Sequence, residues 1–113
     1  MNYFYLFVFL LGCTFICTLA KEDLPGKNLF LTSKGKYGSC NFCHKNGGSV
    51  GRWDFEYEEI SKDEGRIIPS LKGIGKKKSI EQIERSITYM KKLFGFKLTE
   101  EEITQIAEYV ATL

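Results

Sequence analysis

The sequence predicts an all-α domain of about three to four helices joined by long loops. Two capping boxes, Ser79 with Gln82 and Thr99 with Glu102, each open a run with helical apolar spacing. A third such run begins near residue 24, and no segment alternates apolar and polar residues convincingly enough to read as a strand. At 113 residues the chain is one small domain, preceded by a leader that looks unlike the rest.

In that leader, residues 3–20 carry no charged side chain, and Phe4-Tyr5-Leu6-Phe7-Val8-Phe9-Leu10-Leu11 is nearly all large and apolar. The stretch is similar to a secretory signal peptide whose basic start is reduced to the amino terminus. Cleavage after Ala20, leaving a domain of residues 21–113, ranks first. Lipidation of Cys13 in the Leu10-Leu11-Gly12-Cys13 box, or retention as an anchor near the lower length limit for a bilayer, would tether the domain to the membrane instead. All three outcomes place residues 21–113 in the periplasm.

The first helix is expected over about 24–34, with Asp23 as its cap and Leu29 and Phe30 facing inward. Residues 47–69 are polar, aromatic and aperiodic, and read as loop with one short helix around 57–62. Glycines and lysines over 72–78 break the pattern. A helix then starts after Ser79, with Ile80, Ile83 and Ile87 on one face. The last helix follows Thr99: Glu100, Glu101 and Glu102 favour its positive end, Leu98 and Ile103 staple the entry, and Ile103, Ile106, Ala107 and Val110 form its buried stripe.

The chemistry lies in Cys40-Asn41-Phe42-Cys43-His44, which reads C-x-x-C-H, the attachment signature of a c-type haem. Two thiols at that spacing can bond the two vinyl groups of one haem, and the adjoining histidine can serve as proximal iron ligand. His44 is the only histidine, so the chain alone cannot form a bis-histidine site. A structural zinc site would need about four ligands, and the other cysteines, Cys13 and Cys17, lie in the leader. A thioredoxin-like pair would follow a strand, and a Cys40–Cys43 disulfide would leave His44 without a role. A covalent haem also supplies apolar core to a domain too small to bury much surface of its own.

From end to end, Gly26-Lys27-Asn28-Leu29-Phe30, Cys40 to His44, Ile68-Pro69-Ser70-Leu71, Met90, and Leu98-Thr99 through Tyr109-Val110 resemble the class I, monohaem cytochromes c. That resemblance implies the cytochrome c fold wrapped round one covalent haem, with Gly26, Phe30 and Tyr109 at the crossing of the first and last helices. It implies that Cys40 and Cys43 bind haem c, that His44 and Met90 ligate the iron, and that the Pro69 carbonyl accepts a hydrogen bond from His44. Met90 also shares a helical stripe with Ile80, Ile83 and Ile87, where a methionine serves equally as core packing.

The function expected is one-electron transfer to redox partner proteins, with no bond chemistry on a substrate and so no enzyme activity. An open sixth position would instead make a gas-binding or sensory domain, and a stable complex would make the chain a small haem subunit of a larger oxidoreductase. The formal charge of +2 does not point to nucleic acid. Lysines at 34, 36, 45, 76–78, 91 and 92 can steer acidic partners. The acidic, aromatic stretch with Trp53, Asp54, Glu56, Glu58 and Glu59 has no assigned role.

Overall fold

The computed structural model describes residues 23–113, so the leader and its three processing outcomes lie outside the described residues. Among the described residues there are four helices: α1 (Pro25–Thr32), α2 (Cys40–Cys43), α3 (Ile80–Phe94) and α4 (Glu100–Val110). Between α2 and α3 stand three short strands, β1 (Arg52–Asp54), β2 (Glu59–Ser61) and β3 (Arg66–Ile67), flanked by 3-10 turns at Lys45–Gly47 and Ile74–Lys76. The all-α expectation, and with it the purely helical wrap of the cytochrome c fold, is therefore corrected. The domain is mixed, with a three-stranded antiparallel sheet in the order β2-β1-β3.

The sheet arises where the sequence reads as loop. Trp53 pairs with Ile60 in β2 and with Arg66 in β3, and Arg52 pairs with Ser61 and Ile67. At the β1–β2 turn the Asp54 side chain accepts from the backbone N–H groups of Glu56 and Tyr57, and Glu58 takes a left-handed φ of 52°. That conformation excludes the short helix expected around 57–62, since a left-handed residue ends any right-handed turn. Pairing with β1 overrides the helical preference of the glutamates.

Helices α3 and α4 both begin with complete capping boxes, Ser79 and Gln82 in one, Thr99 and Glu102 in the other. α3 stops at Gly95, which turns left-handed at φ 67°. α1 starts at Pro25 with Leu24 as its N-cap and no side-chain cap, so Asp23 does not cap it. Proline suits that first position because its missing N–H would have had no helical partner.

One core cluster joins α1, α3 and α4: Phe30, Ile83, Leu98, Ile103, Ile106, Ala107, Tyr109 and Val110 are all buried. Where α1 meets α4, a Cβ on Gly26 would overlap the Gln105 carbonyl, so only glycine permits this approach. The rings of Phe30 and Tyr109 meet edge-on beside it, 5.6 Å apart. Among the described residues no helix is long and apolar enough to cross a membrane.

Candidate functional site

α2 is a single turn that carries Cys40, Cys43 and His44 on a tightly bonded backbone. The His44 N–H donates to Cys40 O at 3.0 Å, and the following turn is closed by Gly47 N–H to His44 O at 2.8 Å. Asn41 accepts from the Asn46 N–H at 2.9 Å, holding Asn46 in a left-handed conformation at φ 55°. Val50 N–H donates to Cys43 O and Leu71 N–H to Gly47 O, tying the motif to both ends of the sheet segment.

Both cysteines are free thiols, partly buried. Burial raises the pKa of each, with the Ser33 hydroxyl 3.4 Å from Cys40 Sγ opposing this in part. Burial lowers the pKa of His44, against opposing contributions from backbone groups of Gly48 and Pro69, and so favours the neutral ring. His44 Nδ1 lies 2.9 Å from the Pro69 carbonyl oxygen. A carbonyl can only accept, so Nδ1 carries the hydrogen and Nε2 is left with its lone pair.

These groups border a cavity of about 370 Å³. Cys40, Cys43, His44 and Pro69 form part of its lining, and α3 contributes Ile83, Ile87 and Met90. The core side chains Phe30, Ile106 and Val110 form a further wall. The sheet supplies Trp53, Arg66 and Ile67, and the β1–β2 turn supplies Phe55. A smaller cavity of about 70 Å³ is lined by Tyr37, Trp53, Phe94 and Phe96 together with Cys40, Cys43, His44 and Met90. All five residues singled out in the sequence thus border one cavity.

The lining is suited to a largely apolar ligand that carries acidic groups. Most of it is aliphatic or aromatic, while Arg66 and Lys78 bring positive charge and His44 brings one imidazole. Among the described residues no group of three or more His, Cys, Asp or Glu could hold a bare metal ion. A haem iron needs fewer protein ligands, because the macrocycle provides four nitrogens. The residues present fit a covalent haem: two thiols, one histidine with a fixed tautomer, and a thioether around one apolar space.

Several lining residues escaped the sequence reading. Phe94 continues the α3 stripe one turn beyond Met90, a spacing visible in the sequence. Trp53, Phe55, Arg66 and Ile67 depend on strand pairings that no local pattern announces. Of the lysines, Lys36 pairs with Glu58 at 3.1 Å and Lys91 donates to the Leu98 carbonyl at 2.7 Å, so both serve internal contacts. Lys76, Lys77 and Lys92 are exposed.

No protein-family model, curated protein or solved structure matches this chain.

Proposed function

We propose that the protein is a monohaem c-type cytochrome, exported to the periplasm, that carries single electrons between redox partner proteins. The observation that carries this reading is the convergence of Cys40, Cys43, His44, Pro69 and Met90 on one apolar cavity. Bound haem would supply a one-electron iron couple, and everything else is the work of this chain. Cys40 and Cys43 would tether the group through thioether bonds. His44 would ligate through Nε2, its ring plane set by the Nδ1–H bond to Pro69 O.

Met90 would offer a neutral thioether, which favours ferrous iron and raises the reduction potential. The aliphatic and aromatic lining excludes water and lowers the local dielectric, which limits reorganisation as charge changes. The uncharged leader supports export, and exposed lysines offer a means of meeting acidic partners.

The test is the visible spectrum of the haem-loaded protein, ferric and ferrous, with and without carbon monoxide. The expected result is a thioether-to-ferric charge-transfer band that vanishes in Met90→Ala, and no carbon monoxide shift in the wild type. A high-spin ferric spectrum with ready carbon monoxide binding would overturn the carrier reading in favour of a gas-binding domain.

A further inference from the structure

Beside Met90 the structure builds a second assembly that the carrier reading does not use. Phe94 closes α3 one turn after Met90, and three aromatic rings from elsewhere surround it. Trp53 meets it edge-on at 5.8 Å, Phe55 stacks nearly parallel at 6.4 Å, and Tyr37 approaches at 6.2 Å while also contacting Trp53 at 4.7 Å. Tyr37, Trp53, Phe94 and Met90 all line the smaller cavity.

The dipeptide Lys36-Tyr37 fastens this cluster at both ends. The Lys36 backbone N–H donates to the Phe94 carbonyl at 2.8 Å, satisfying an acceptor that the end of α3 leaves without a helical partner. The Tyr37 hydroxyl donates to Glu58 Oε1, and Lys36 Nζ reaches the same oxygen at 3.1 Å. Glu58 sits at the β1–β2 turn with a left-handed φ of 52°, a conformation that costs a non-glycine residue energy and persists where its surroundings hold it. β3 pairs only with Arg52 and Trp53, so the tip of the β1–β2 hairpin rests on its own three residue pairs and on this anchor.

We propose that Tyr37 and Glu58 are positioning residues for Met90, clamping the β1–β2 hairpin onto the last turn of α3 so that the thioether stays in place and competing ligands stay out. The inference rests on the carrier reading, since it concerns the residue that reading assigns to the sixth position. A thioether is held by position more than by affinity, being a neutral and soft donor. Release of the clamp frees the end of α3 and opens the wall of the smaller cavity.

The experiment titrates imidazole into ferric, haem-loaded wild type, Tyr37→Phe, Glu58→Gln and the hairpin control Lys62→Gln, following the thioether charge-transfer band. Tyr37→Phe keeps the ring contacts and removes only the hydroxyl; Glu58→Gln provides a second, independent release of the clamp should the first variant fold poorly. Both are expected to lose the band at roughly two- to fivefold lower imidazole than wild type, the range set by one lost solvent-exposed contact. Lys62→Gln is expected to match wild type. Wild-type affinity in both clamp variants, with the band intact, would overturn the clamp and leave Met90 ligation standing. Absence of the band from the wild type itself would overturn Met90 ligation, and the clamp with it.

Discussion

At the residue scale the arrangement turns on a few atoms. His44 directs Nδ1–H at the Pro69 carbonyl 2.9 Å away, so a backbone acceptor decides that Nε2 is the nitrogen left free to accept or ligate. Met90 sits where an unbranched, polarisable side chain can serve either as filler or as ligand. Met90→Ala is predicted to lower the reduction potential by at least about 60 mV, the shift that changes a one-electron equilibrium tenfold. Redox titration of the loaded protein checks this, and an unchanged potential would mean that Met90 only packs. Gly26→Ala is predicted to destabilise the fold by about 1–3 kcal/mol, because its Cβ would overlap the Gln105 carbonyl. Urea unfolding measures the loss.

At the scale of elements, what could be read in the sequence was what is encoded locally. Ser79 with Gln82 and Thr99 with Glu102 carry their own helix starts, and the capping boxes are present as the spacing implies. The sheet is different in kind: its strands are two or three residues long, below the four to eight over which alternation can be recognised. Trp53 has its partners seven and thirteen residues away, at Ile60 and Arg66.

The hairpin tip gives a pH prediction. Bonds from the Tyr37 hydroxyl and Lys36 hold the Glu58 carboxyl below the usual glutamate range. A depressed folded-state pKa contributes stability that is present above the unfolded value and disappears as pH falls through the folded one. The melting temperature of wild type should therefore exceed that of Glu58→Gln at neutral pH, with the difference shrinking below about pH 4. A constant difference between pH 7 and pH 3 would contradict the assignment. Tyr37 first and Glu58 second raise the Lys36 pKa, so that share is present below the ordinary lysine value and fades only as pH rises through the folded one.

For the whole molecule, the helical core of α1, α3 and α4 packs on itself, while the sheet and α2 complete the border of a cavity of about 370 Å³. The C-x-x-C-H run was legible because five adjacent residues contain it. Met90 and Pro69 were expected beside it from the family resemblance, whereas the placing of Trp53 was not legible, because it depends on how separate segments approach. A domain this small, with an apolar cavity next to its core, gains stability from whatever fills it. The mass of the denatured chain, expressed with a haem-attachment system, decides whether that filling is covalent haem. Wild type should be heavier by one haem while Cys40→Ala/Cys43→Ala runs at the mass of the bare chain; a wild-type chain that releases all its haem on denaturation, or never takes any up, would contradict the haem assignment.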